Sequence, residues 1–246
     1  MADTLLVALT FVLAGFVKGV IGLGLPTVAV GLLGLLMTPA QAAALLVLPS
    51  FVTNVWQLAA GPAFLHLARR LRVLLLCVCI GTGLGALLPA DGMNGHAVTM
   101  LGIALVVYAA VGLRARRFVL SPPAQRWCAP LAGLLTGMVT AVTGVFVIPA
   151  VPYLQALELD KDELVQALGL SFTVSTVALA GLLLYRGGLQ LSVAGPSLLA
   201  LGCAIAGMIA GQWLRGRVAA DTFRTWFFRG LLLLGLHLAT RQLLGA

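Results

Sequence analysis

The stretch Phe16-Val17-Lys18-Gly19-Val20-Ile21-Gly22-Leu23-Gly24-Leu25-Pro26 decides how this chain is read. Lys18 is the one cation deep within an apolar run, and no Asp, Glu, Lys or Arg follows it from Gly19 to Ala68. A charge at the centre of a membrane helix costs about 3 kcal/mol even on the mildest scales, and it is kept where a binding site or an ion path needs it. The glycines and the proline beside it can break a helix and free backbone N–H groups to bind something. Together these features predict an anion site inside a membrane.

Composition agrees. Of the 246 residues, 61% are hydrophobic and 9% charged, with a mean hydropathy of +1.10. About 20 apolar residues span a bilayer, so the run from Gly19 to Ala68 alone holds at least two crossings. Further charge-free runs lie at 73–90, 92–113, 127–157, 164–185 and 187–214, with a last one around 230–240. The polar stretches between them are short, so the expectation is a single transmembrane domain over 1–246. The chain opens Met1-Ala2-Asp3-Thr4 with no basic n-region, and its apolar stretch passes any plausible cleavage point, so the first segment reads as retained.

The net charge of +8 does not point to nucleic acid, because the Arg residues cluster in short stretches between apolar runs, as the positive-inside bias requires. Cys77, Cys79, Cys128 and Cys203 offer neither a disulfide framework nor a zinc spacing. His66, His96 and His237 lie near predicted segment ends and form no metal pair. No nucleophile–base set is visible, so no enzyme, metal or cofactor is expected.

The two halves resemble each other. Ala14-Gly15-Phe16-Val17-Lys18-Gly19 aligns with Ala132-Gly133-Leu134-Leu135-Thr136-Gly137, and Gln41-Ala42-Ala43-Ala44-Leu45 aligns with Gln166-Ala167-Leu168-Gly169-Leu170. Hydropathy gives eight segments, near 4–36, 40–60, 71–90, 96–113, 129–157, 163–185, 191–214 and 225–244. If each crosses once, the basic residues of the loops split nine to five between the two sides. If 4–36 and 129–157 instead enter and return as broken hairpins, twelve fall inside and only Arg186 and Arg241 outside. The positive-inside rule favours the hairpins. Length does too, since about 30 residues of helix would measure roughly 45 Å against a core of about 30 Å. The predicted fold is an all-α integral membrane protein with an inverted 5+5 repeat and about ten membrane helices. Repeat one covers 4–113 and repeat two 129–244, with both termini outside. The competing arrangement is a long tilted helix for each of these two segments.

Broken helices in inverted repeats hold substrate near the midplane, with half-helix N-termini aimed at anionic groups. Here the half-helices are expected to begin near Pro26-Thr27 and Gly144-Val145. Gly22, Gly24 and Gly144 permit close backbone approach, and Thr136, Thr140 and Thr143 add hydroxyls. On the next segment Ser50, Asn54 and Gln57 fall at i, i+4 and i+7, on one helix face, and Thr53 lies beside them. The counterpart segment offers Ser171, Thr173, Ser175 and Thr176, with Gln166 near its entrance. Each feature also has a structural reading: glycines pack helices, Thr hydroxyls bond their own helix, and Lys snorkels.

The sequence from Ala14 to Pro26, its weaker copy from Ala132 to Pro149, and Ser50-Phe51-Val52-Thr53-Asn54 resemble the sulfite exporter TauE/SafE family, the TSUP transporters. The resemblance covers essentially the whole chain. It departs at Thr140-Ala141-Val142-Thr143-Gly144, where a glycine-rich run is expected. It implies a carrier of small sulfur-containing or organic anions in the bacterial inner membrane. On this reading the substrate is a sulfur oxyanion or organosulfonate moved by alternating access, with Lys18 pairing with the anionic group. Carriage of small carboxylates and a passive anion channel are the alternatives. Coupling to protons or sodium, and assembly as a homodimer, stay open.

Overall fold

The computed structural model describes residues 2–87, 96–114, 119–190, 193–215, 217 and 220–241. Arg116, Arg117, Gln242 and the predicted segment ends at 88–90 and 242–244 lie outside the described residues. Within them the chain forms helices and no strands. They are α1 (Ala2–Ile21), α2 (Leu25–Leu33), α3 (Pro39–Ala59), α4 (Phe64–Ala86), α5 (Ala97–Leu113), α6 (Pro122–Thr143), α7 (Ala150–Gln155), α8 (Lys161–Tyr185), α9 (Ala194–Arg215) and α10 (Ala220–Thr240).

Neither long segment is one continuous helix. Gly22 and Gly24 take φ of 74° and 106°, left-handed values that cost a residue with a side chain about 1–2 kcal/mol. So α1 stops after 20 residues, roughly the thickness of a bilayer core, and α2 starts with Pro26 in its first turn. In the second half α6 closes on Gly144, whose N–H returns to Thr140 O at 2.8 Å. The half-helix expected there does not begin at Gly144-Val145. It begins at Ala150, after Pro149, and is six residues long. The cause is local: Val145-Phe146-Val147 runs buried and non-helical, and a proline starts the next helix because it needs no N–H partner there.

Other boundaries differ modestly. Arg69, Arg70 and Arg72 sit on the first turns of α4, and Arg224 and Arg229 on α10, rather than in loops. Such helices run past the apolar zone, where long basic stems still reach polar surroundings. Arg70 does so by donating from Nη2 to Leu157 O at 3.0 Å.

The surface is apolar and the interior holds the polar groups. Leu5, Leu9 and Leu13 on α1, Leu76 and Ile80 on α4, and Ile103 and Val107 on α5 are exposed, while Lys18, Ser50, Thr53, Asn54, Ser171, Ser175 and Thr176 are buried. A water-soluble protein avoids apolar patches of this extent; a bilayer requires them, because it satisfies no polar group. Among the described helices, α1, α3, α8 and α9 are each long and apolar enough to cross a membrane.

Helix packing follows a glycine code. Gly15 and Gly19 on α1 pack onto α9 as Gly207 and Gly211 pack back onto α1, and Gly133 and Gly137 on α6 pack onto α4 as Gly81 and Gly85 pack back onto α6, with direct glycine contacts at Gly19–Gly211 and Gly137–Gly81. These are four Gly-x-x-x-Gly pairs, two against two. A Cβ at Gly15 would lie 2.1 Å from Ala204 O, and one at Gly207 2.1 Å from Val12 O. On the other side a Cβ at Gly81 would lie 2.2 Å from Leu134 O, and one at Gly137 2.3 Å from Val78 O. Without lipid-expelling force between helices, such backbone-to-backbone approach is what holds them. The first helix of each half thus packs on the fourth helix of the other, α3 packs on α8, and α5 on α10.

This packing predicts that Gly207→Leu destabilises the protein by about 1–3 kcal/mol through overpacking. Gly202, whose Cβ would meet open space, should accept Leu with little change. Thermal unfolding in detergent measures both, and equal effects at the two positions would contradict the packing account.

Candidate functional site

Lys18 occupies the last turn of α1, one turn before the break. Its side chain is 4% exposed. The ammonium donates to Thr53 Oγ1 at 3.0 Å and to Asn54 Oδ1. Both partners are neutral, so they stabilise the charge through dipoles without cancelling it.

Asn54 is held from behind. Its Nδ2 donates to Ser50 Oγ at 3.1 Å and to Thr176 Oγ1 of α8 at 3.2 Å, which fixes Oδ1 toward Lys18. Thr53 in turn donates to Pro49 O at 2.7 Å, leaving its oxygen lone pairs for the ammonium. Gln57, one turn further, donates from Nε2 to Gly22 O at 3.2 Å and to Val165 O at 3.0 Å. It therefore ties the break in α1–α2 to α8. Of the predicted face, Asn54 reaches Lys18 itself, Ser50 holds Asn54, and Gln57 reaches the backbone of the break instead. Thr53 and Thr176 join the cluster; the sequence showed them beside the expected residues, and Thr53 lies at i+3 from Ser50, on the same side of the turn.

The remaining candidates fall elsewhere. Thr27 turns its hydroxyl back onto its own helix, donating to Gly24 O at 2.9 Å. A Cβ at Gly24 would meet Val17 and the Phe227 ring, so the start of α2, with Pro26 buried in its first turn, is flanked there by apolar groups. Thr136 Oγ1 accepts from Ala150 N at 3.0 Å, and Thr143 Oγ1 accepts from Val145 N at 3.1 Å. Thr140 donates to Thr136 O at 2.6 Å. These three hydroxyls brace the second break. Ser171 and Ser175 are buried on α8, and their hydroxyls have no hydrogen-bond partner among the described residues.

The two breaks do not face one another. A Cβ at Gly144 would lie 2.9 Å from Ala43 Cβ, whereas Lys18 touches Asn54, eleven positions along the same helix and so about 16 Å away. Thr140 and Gly144 instead line a separate cavity of about 220 Å³ with Thr38, Ala43, Leu183 and Arg186. Arg186 donates from Nη2 to Gly85 O at 2.8 Å. Its place at this cavity was not legible from a sequence position at a segment end.

A family model described as Sulfite exporter TauE/SafE matches residues 7–238. No curated protein and no solved structure matches the chain.

The hydrogen bonds around Lys18 predict that Asn54→Leu costs about 2 kcal/mol, since a bond to a charged group is lost. Lys18→Met combined with Asn54→Leu should cost less than the two single losses together. Chemical denaturation in detergent checks this, and strict additivity would show that the pair does not interact.

Proposed function

The chain belongs to the sulfite exporter TauE/SafE family, a family of membrane transporters, and from that membership we propose that it is a secondary carrier of a small anion. The substrate is a sulfur oxyanion or an organosulfonate, moved across the bacterial inner membrane by alternating access. The observation that carries this reading is the Lys18 ammonium, buried and hydrogen-bonded to neutral oxygens. A buried charge without a counter-charge is costly, and an anionic substrate supplies one.

In this reading the anion takes the place of Asn54 Oδ1 or Thr53 Oγ1 at Lys18 Nζ. Ser50 and Thr176 hold the Asn54 amide in reserve, so the ammonium has a partner both with and without substrate. Gln57 links the hairpin break to α8, and a shift of one half against the other would pull on that link.

The first helix of each half packs on the fourth helix of the other, as a two-fold relation between the halves would require, and an inverted 5+5 repeat has such a relation. With both termini outside, the break near Lys18 lies toward the cytoplasmic side and the one at Gly144 toward the periplasm. A carrier, rather than a channel, fits an ammonium sealed from both sides, since conduction needs a continuous polar path.

Proteoliposomes test the proposal. Wild-type protein should accumulate sulfite against its gradient when a driving gradient is imposed, and Lys18→Ala should lower the rate by at least about tenfold. Purely downhill flux would contradict the secondary-carrier reading; undiminished uptake in Lys18→Ala would remove Lys18 from the site. A single cysteine at Asp3 should react with an impermeant reagent from the periplasmic side, and reaction only from the cytoplasm would overturn the hairpin topology.

A further inference from the structure

The Gln57 amide is half used. Its Nε2 faces two carbonyls, Gly22 O and Val165 O, and carbonyls only accept, so the nitrogen must point at them and Oε1 away. That oxygen is buried and has no hydrogen-bond partner among the described residues. Gln57 as a whole is 8% exposed. It stands one turn along α3 from Thr53 and Asn54, the residues that hold the Lys18 ammonium. The neighbouring amide offers no spare donor, because Asn54 Nδ2 is engaged by Ser50 and Thr176. The cluster therefore presents one cationic group and, one helical turn along α3 from the residues that hold it, an acceptor lacking a donor.

We propose that this cluster selects a protonated, singly charged sulfur oxyanion, hydrogensulfite, over the sulfite dianion. Its charged oxygen sits on Lys18 Nζ and its O–H donates to Gln57 Oε1. The inference rests on the reading of Lys18 as the anion-binding group. A dianion would bring a second negative charge with no second cation to meet it, since Lys18 is the only charged side chain among the described residues that is buried. It would also set a bare oxygen against the Gln57 carbonyl dipole, which is repulsive. Hydrogensulfite matches both groups at once, and a site built to bond a ligand hydroxyl discriminates strongly against a ligand without it.

The consequence is a proton carried by the substrate. One hydrogensulfite enters and leaves intact, and any later loss of its proton occurs in solution. No protein carboxylate has to relay it.

The titratable groups on the elements packed against Gln57 and α3 are Lys18 on α1, Tyr108 on α5, Arg126 and Cys128 on α6, Lys161, Asp162, Glu163 and Tyr185 on α8, and Cys203 and Arg215 on α9. Any change of charge among them acts alike on two singly charged anions, so a singly charged reference ligand removes it. Methanesulfonate serves, because it is singly charged at all relevant pH values and carries no O–H.

Binding of sulfite and of methanesulfonate to purified full-length protein is measured by calorimetry across the second ionisation of sulfurous acid. Above that ionisation the affinity ratio of total sulfite to methanesulfonate should fall about tenfold per pH unit, following the hydrogensulfite fraction. In Gln57→Met the hydrogensulfite-to-methanesulfonate ratio should drop about tenfold below that of wild type. A ratio that is flat or rises with pH overturns the proposal, as does an unchanged ratio in Gln57→Met. Should that variant fail to fold, the wild-type pH series decides alone. Binding of both ligands by Lys18→Ala as tightly as by wild type would overturn the anion-site reading itself, and this inference with it.

Discussion

A single ammonium buried among neutral oxygens is the constraint around which this molecule is organised. Lys18 cannot be left bare in a bilayer, and the sequence places no acid between Thr4 and Leu157 except Asp91. The fold answers with dipoles. Thr53 and Asn54 accept from Nζ, Ser50 and Thr176 fix Asn54, and Thr53 is itself braced by the Pro49 carbonyl. This arrangement spreads one charge over two helices beyond α1. It stabilises the charge without neutralising it, which is the condition under which an anion can still be attracted.

The dipole shell exists only because α1, α3 and α8 are held at close distance. Glycine supplies that closeness. Gly15 and Gly19 press α1 onto α9, and Gly169 lets α8 approach α3 so nearly that a Cβ would lie 2.6 Å from Leu58 N. The same device fixes α6 on α4. The dipole shell around Lys18 and the packing of the helices are thus coupled through backbone contacts. The halves use the common scaffold differently, however. One break carries the cation, while the other is sealed by Val145, Phe146 and Val147, with Phe146 stacked edge-on against Phe172 at 5.5 Å.

Much of this was legible in the sequence. The lone charge and the glycines after it located both the membrane assignment and the break, and helix periodicity put Ser50, Asn54 and Gln57 on one face. Periodicity reports a face but not what lies opposite, so the bond from Asn54 to Thr176 could not be read. The second break was harder. Thr136, Thr140 and Thr143 look like ligand hydroxyls by composition, yet Thr140 and Thr143 bond nearby backbone, an option that short polar side chains always have, and Thr136 accepts from Ala150 N at the start of α7. Before α7 the chain runs buried and non-helical through Val145, Phe146 and Val147 to Pro149, which precedes the first helical residue, and hydropathy alone does not mark that delay. Arg186 was placed by charge counting, which gives a side of the membrane and says nothing of the cavity it lines. The four Gly-x-x-x-Gly pairs were present all along, but only their pairing in space shows which helices they join.

The central claim is that Lys18 is retained for an anion and not for packing. Thermal unfolding of wild type and Lys18→Met, each with and without saturating sulfite, tests it most directly. A ligand that binds only the folded state at 100 times its dissociation constant adds about 2.7 kcal/mol of stability. The account predicts that wild type gains stability of this order and that Lys18→Met, folded by the same criteria, gains none. An equal sulfite-induced gain in Lys18→Met would contradict it.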